Sequence, residues 1–270
     1  MAGARDIPDE YIAFAARLAD AARRETLPRF RRDGAVESKN GDFFDPVTDA
    51  DREAERVLRA MIREAWPDHG VIGEEFGAER EDAEWRWVLD PVDGTRAFIC
   101  GAASWATLIA LERGGRPVLG VIDQPFTDER WIGANGRAVW RRGGAETVCR
   151  SSGVAALAEA RLSTTDPLPA GYFTVREADA FATLAARARV ARYSFDAYAY
   201  GLLALGALDL VVETSLKRHD YAALIPVIEG AGGVVTAWSG EALGSDARGS
   251  IVAAATPALH AAALDILRGA

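Results

Sequence analysis

Trp87-Val88-Leu89-Asp90-Pro91-Val92-Asp93-Gly94-Thr95-Arg96 is the most informative run in this 270-residue chain. The segment Trp85 to Leu89 reads as a buried strand that stops at Asp90-Pro91. Two carboxylates three residues apart close it, and Gly94-Thr95 open a turn that reads as a helix start. That pattern aims Asp90 and Asp93 into one crevice and leaves the backbone N–H groups of Gly94 and Thr95 for an anion. Neighbouring carboxylates repel unless a cation sits between them. A hard cation such as Mg²⁺ suits them, because it prefers carboxylate and water oxygens. Taken alone, however, Asp-Pro and Asp-Gly are ordinary turn pairs.

Three further acidic groups lie outward from this run. Ile72-Gly73-Glu74-Glu75 places two acids after a short apolar strand; by itself it is a solvated loop. Asp220, in Lys217-Arg218-His219-Asp220-Tyr221, stands where a helix begins and reads as its N-cap. Thr48-Asp49-Ala50-Asp51 reads as a capping box with Asp in place of Glu. Each is weak singly, and each gains meaning from the others.

The remaining pattern supplies the scaffold. Asp9–Arg32 and Thr48–Ala65 carry apolar residues at helical spacing. Strands at Trp105–Leu111 and Pro117–Ile122 flank the hairpin signal Arg113-Gly114-Gly115-Arg116, and Asn135-Gly136 marks a second hairpin. The first half is therefore two helices and a largely antiparallel sheet. In the second half, strands at Ala160–Ser163, Val190–Tyr193, Asp209–Val212 and Val234-Val235 alternate with helices at Glu177–Ala188, Ala197–Leu205, Asp220–Glu229 and Pro257–Leu267. Strand–helix alternation predicts α/β layering. Arg142-Gly143-Gly144 breaks the pattern and predicts a boundary between 1–146, an N-terminal α+β part with the acidic loops, and 147–270, a C-terminal α/β part. The two parts form one compact unit with the site between them.

Composition narrows the class. Forty acids against 31 bases give a net charge of -9, the opposite of a dedicated nucleic-acid binder. No apolar run reaches the ~18 residues of a membrane span. Cys100 and Cys149 form no CxxC pair, and three separated histidines make no His-rich metal site. The expectation is a cytoplasmic protein that engages neither nucleic acid nor membrane.

In combination, Glu74-Glu75, Asp90-Pro-Val-Asp93-Gly-Thr95 and Asp220 before an Ala-Ala helix ending Glu229-Gly230-Ala231-Gly232-Gly233 resemble the inositol monophosphatase superfamily of metal-dependent phosphatases. The resemblance runs from Lys39 to about Gly240. It implies the layered αβαβα sandwich of the inositol monophosphatase and sugar phosphatase type. Thr95-Arg96-Ala97-Phe98, Asp123-Gln124-Pro125 and Asp196-Ala-Tyr198-Ala-Tyr200-Gly201 further resemble the histidinol-phosphate phosphatase branch. His219, where the family usually has Trp or Tyr, and Ala197, where the branch often has Cys, depart from the pattern and bear on substrate choice.

The resemblance implies two or three Mg²⁺ ions, held by Glu74, Asp90, Asp93, Asp220 and the carbonyl of Val92. It gives Thr95, with Glu74 or Asp51, the orientation of a nucleophilic water. Gly94 and Thr95 would receive the phosphate. Glu213 and Asp196 would face the organic part of the substrate, although Asp196 also reads as a helix N-cap and Glu213 as a surface carboxylate; Arg96 would touch substrate or pair with Asp196 or Glu213. Lys39 is a further candidate near the water-bearing ion, against a solvated lysine. The implied reaction is hydrolysis of a small phosphate monoester by direct in-line attack, with L-histidinol phosphate preferred and inositol or another polyol phosphate as the alternative. An aspartyl nucleophile would want Asp-x-Asp rather than Asp90-x-x-Asp93, and an inactive regulatory module would tend to have lost one of the four carboxylates. A homodimer and lithium sensitivity come with the resemblance.

Overall fold

The structure is a computed structural model that describes residues 6–32, 36–38, 46–169, 171–244 and 249–268. In chain order its elements are α1 (Asp9–Thr26), β1 (Val36–Ser38), β2 (Pro46–Thr48), α2 (Asp49–Ala65), β3 (Gly70–Gly73), β4 (Gly77–Glu79), β5 (Trp85–Asp93) and α3 (Thr95–Ile99). There follow β6 (Ala106–Arg113), β7 (Arg116–Gln124), β8 (Glu129–Ala134), β9 (Arg137–Arg142), β10 (Ala145–Val148), β11 (Arg161–Thr164), α4 (Val175–Arg187) and β12 (Val190–Tyr193). The chain ends with α5 (Tyr198–Ala204), β13 (Leu210–Glu213), α6 (Arg218–Tyr221), α7 (Leu224–Gly230), β14 (Val234–Thr236), β15 (Ile251–Ala254) and α8 (Pro257–Leu267).

Two sheets organise these elements. The larger has the order β10-β9-β8-β7-β6-β5-β3-β4 and is antiparallel except where β3 runs parallel to β5. The smaller has the order β12-β11-β13-β15-β14, with β11 parallel to both its neighbours and β15 antiparallel to both of its own. Side-chain alternation along each strand sets the layers. Trp87 and Leu89 of β5 join Phe14, Leu18, Leu58 and Ile62 of α1 and α2 on one face. Val88 faces the other way, with Leu203, Leu224 and Val227 of α5 and α7 and with Val211 and Ala253 of the smaller sheet. The opposite face of that sheet, Leu210, Val212 and Val252, packs on Phe181 and Leu184 of α4 and Leu259 and Ala263 of α8. The result is the αβαβα stack expected from the sequence.

Close approach of α7 to the larger sheet depends on bare backbone. A Cβ on Gly133 would stand 2.2 Å from the Pro226 carbonyl oxygen, so β8 can meet α7 only without a side chain there.

Three expectations change. The strand does not stop at Asp90-Pro91 but runs on to Asp93. Between Asp90 and Asp93 three steps on β5 match two on β6, from Leu108 to Ala106, so the strand carries a bulge. Pro91, which has no N–H for the ladder, sits within it, and the Thr107 hydroxyl donates to the Pro91 carbonyl at 2.7 Å. The helix expected over Asp220–Glu229 is two, α6 and α7. Pro226 falls in the first turn of α7, where its missing N–H has no intrahelical partner to lose. Asp220 is accordingly the third residue of α6 and not its N-cap; its carboxylate accepts from the Lys217 backbone N–H at 2.6 Å.

Candidate active site

The bulge decides the geometry. In a regular strand, residues three apart point to opposite faces. The extra residue in β5 turns Asp93 back to the face of Asp90, which is the face of Val88 that looks toward the smaller sheet. Asp220, brought in by α6, completes a group with Asp90 and Asp93 in which one carboxylate oxygen from each lies within 4.8 Å of the others. Glu74, at the end of β3 beside β5, comes within the same distance of Asp90 and of a ring nitrogen of His219. Asp51, Glu74 and Glu75 form a third such group.

Glu74, Asp90, Asp93 and Asp220 line one cavity of about 390 Å³ together with Thr95, Arg96, Tyr172, Asp196, Tyr200 and Glu213. Burial raises Asp90 and Asp93 well above the usual carboxylate range. Glu74, Asp93 and Asp220 push Asp90 further the same way, and Asp196 and Asp220 do so for Asp93. Asp220 is raised by burial as well, against the pull of His219 and the Lys217 N–H. Clustered carboxylates, one buried and the others half-buried, with raised pKa values form a site that wants positive charge. Oxygen donors from carboxylates and a carbonyl are the donor set of Mg²⁺, so the residues fit such an ion.

The neighbours of the cluster each have a defined place. Gly94 is left-handed at φ 78°, and a Cβ there would stand 2.8 Å from Cγ of Asp196. Thr95 begins α3, and its hydroxyl donates to the Val92 carbonyl at 3.1 Å. Thr48 and Asp51 do form the capping box at the start of α2. Burial lifts the Asp51 carboxyl to about 7, and its Oδ1 is buried without a protein partner. Arg96 lies over the Tyr172 ring, 5.1 Å from the centroid. Lys39 lies outside the described residues.

Two assignments are corrected. The α5 start is capped by Asp93, whose Oδ2 accepts from the Ala197 N–H at 2.8 Å, and not by Asp196. Asp196 is itself left-handed at φ 47° and accepts from the Ser104 hydroxyl at 2.6 Å. Glu213 is not a surface carboxylate but 6% exposed. It accepts from the Thr165 N–H at 3.0 Å, from the Thr165 hydroxyl and from the Tyr200 hydroxyl at 2.7 Å. Burial still raises it to about 7 against those donors.

The sequence reading missed the support behind Glu74. Glu55 of α2 is fully buried and accepts from the backbone N–H groups of Glu75 at 2.8 Å and Phe76 at 3.2 Å. Arg59, one helical turn on, donates to Glu55 at 2.7 Å and reaches Glu79 at 3.0 Å and the Gly77 carbonyl. A Glu and an Arg four apart on the apolar stripe of α2, beside Ala54, Leu58 and Ile62, were the signal available.

The inositol monophosphatase family model matches residues 7–269. The chain belongs to the inositol monophosphatase family. Among its relatives is the bifunctional phosphatase IMPL2 of Arabidopsis thaliana, 41% identical over 96% of this chain and 73% of that protein. A histidinol-phosphatase of Mycobacterium tuberculosis is 35% identical over 86% of this chain and 88% of its own. A solved inositol monophosphatase from Zymomonas mobilis superposes with a TM-score of 0.86 at 40% identity, covering 98% of this chain and all of that one. The protein is thus a phosphatase of this family, whose members act on small phosphorylated substrates and use Mg²⁺. Among the described residues no helix is long and apolar enough to cross a membrane.

Proposed function

We propose that the chain hydrolyses L-histidinol phosphate to L-histidinol and phosphate in histidine biosynthesis, by direct in-line attack of water, with Mg²⁺ as cofactor. The observation that carries the chemistry is the cluster of Asp90, Asp93 and Asp220, with Glu74 beside it and Asp90 buried at its centre. Glu74, Asp90, Asp93, Asp220 and the Val92 carbonyl would hold two or three ions. When bound, these would supply positive charge for the phosphoryl oxygens and lower the pKa of water. Thr95 and Asp51, with Glu74, would orient the attacking water. Gly94 and Thr95 present backbone N–H groups to the phosphate, and Gly94 supplies the left-handed turn, packed against Asp196, that opens α3.

The substrate assignment rests on the cavity wall beside the acids. Histidinol carries an ammonium and an imidazole, and Glu213 and Asp196 offer carboxylates to a cationic group. Arg96 bounds the same side. Relatives that are histidinol-phosphatases support this choice. The division at 146/147 belongs to the same reading, although it falls inside β10 (Ala145–Val148), the last strand of the larger sheet; the smaller sheet begins at Arg161, and Val88 and Val211 share one core. A homodimer, on the family resemblance, and a cytoplasmic location, on the sequence, complete it.

A second reading, inositol or another polyol phosphate, is favoured by the Zymomonas mobilis neighbour and by the Thr164 hydroxyl, which lines the cavity without a protein partner. Comparing kcat/KM for L-histidinol phosphate and inositol 1-phosphate separates the two. The first should exceed the second by at least ~10²-fold, the scale of losing a buried charged contact. Equal or better turnover of inositol 1-phosphate sinks the histidinol assignment.

A further inference from the structure

We propose that His219 supplies a ring-nitrogen ligand to the cation held by Glu74 and Asp90, making that half of the site a mixed nitrogen–oxygen site. The inference rests on the metal-dependent reading above. A ring nitrogen of His219 and carboxylate oxygens of Glu74 and Asp90 all lie within 4.8 Å of one another. The imidazole lines the cavity, its side chain is 12% exposed, and its Nε2 is 3.3 Å from Asp220 Oδ1. The turn that carries it is pinned on both sides. Arg218 Nε donates to the buried Glu112 at 2.7 Å and its NH2 to the Gly115 carbonyl at 2.8 Å, while the Lys217 N–H holds Asp220. The ring is therefore presented to the acids by a fixed piece of backbone.

The Trp or Tyr that the family resemblance implies at this position offers no imidazole lone pair. An all-oxygen site suits Mg²⁺, Ca²⁺ and Mn²⁺, whereas imidazole suits Zn²⁺, Ni²⁺ and Cu²⁺. One nitrogen donor therefore raises affinity for the later first-row ions while changing Mg²⁺ affinity little. His219 sets which divalent ion the site retains, a property the four carboxylates do not determine.

The test uses the full chain, stripped with EDTA and loaded with Mn²⁺. Electron spin echo envelope modulation reports a ¹⁴N nucleus of an imidazole bound to the ion. The chain has two other histidines, and both are engaged elsewhere. His69 Nδ1 accepts from Trp87 Nε1 at 3.1 Å, and His260 Nε2 pairs with the Thr236 hydroxyl at 2.8 Å. The wild type should show imidazole modulation, and His219→Gln and His219→Phe should abolish it. By calorimetry, Zn²⁺ affinity in both variants should fall at least about tenfold, with Mg²⁺ affinity within about threefold of wild type. Labelling histidine with ¹⁵N shifts the wild-type modulation and decides the question should the variants not fold. A wild type that binds Mn²⁺ and hydrolyses its phosphate ester without imidazole modulation overturns the inference and leaves the metal-dependent reading intact. Modulation that persists in both variants overturns it equally. A folded wild type that binds no divalent ion overturns both.

Discussion

Glu55→Gln tests how the protein holds Glu74 in place. The Glu55 side chain is fully buried and meets three donors: Arg59 Nε at 2.7 Å, the Glu75 N–H at 2.8 Å and the Phe76 N–H at 3.2 Å. Glutamine keeps the volume and one acceptor oxygen but turns an NH₂ toward a donor. Arg59 loses its buried counter-ion while keeping Glu79 at 3.0 Å. Removing one partner of a buried ion pair costs about 3–5 kcal/mol, and the retained contact to Glu79 places this case near 3 kcal/mol. At ~2–4 °C per kcal/mol for a chain of roughly this size, Tm should fall by about 6–12 °C. The stretch after β3 should loosen with it, so half-saturation by Mg²⁺ should rise on the order of tenfold, with kcat at saturating Mg²⁺ nearly kept. Differential scanning calorimetry and an Mg²⁺ titration of phosphate release read the two effects. An unchanged Tm with unchanged Mg²⁺ half-saturation would refute the positioning role.

Other expectations follow from the same geometry. Asp93→Asn should lower turnover on the order of 10²-fold or more with near-native circular dichroism, because a buried charged ligand is lost while an oxygen remains to accept from the Ala197 N–H; retained activity would contradict its place among the ligands. In EDTA, stability should fall as pH rises from about 4 to 7. Asp51 and Glu213 are raised to about 7 from 3.8 and 4.5, so the folded state holds their protons more tightly and loses up to ~1.4 kcal/mol per pH unit for each group. Mg²⁺ should flatten that fall by binding the ionised native state, and a Tm in EDTA that rises over this window would contradict the assignment. Below about pH 4 a separate loss should appear, as the depressed carboxyls of Asp209 and Glu79 give up their arginine partners. Gly94→Ala combines a left-handed φ, which costs about 1–2 kcal/mol, with an overlap on Asp196. It should raise KM for substrate and lower Tm, and wild-type kinetics would show that neither constraint operates.

Much of this architecture is legible in the sequence, for identifiable reasons. Residues 87–89 are a continuous apolar run of the kind a strand buried on both faces carries, and the two hairpins carry glycines that their turns require. The acidic positions are legible because Asp90 and Asp93 flank Pro91 and precede Gly94, and Asp220 follows Lys217-Arg218-His219, where composition changes abruptly. The bulge is hidden, since it exists only relative to the Leu108–Ala106 step on the partner strand. Ile251–Ala254 carries little strand signal, being short and half alanine, and its place between β13 and β14 is set by burial on both faces. The capping of α5 by Asp93 across 104 residues, and the hold of Thr165 and Tyr200 on Glu213, are tertiary contacts that no local spacing encodes. Asp196 sits at the right sequence position to cap and does not, because its backbone is left-handed and its carboxylate is taken by Ser104.

The most direct measurement is phosphate release from L-histidinol phosphate by EDTA-stripped protein, before and after Mg²⁺ is restored. The buried acids predict a negligible rate in EDTA and full recovery with Mg²⁺. A rate in EDTA equal to that with Mg²⁺ would contradict the claim that Glu74, Asp90, Asp93 and Asp220 act by holding metal.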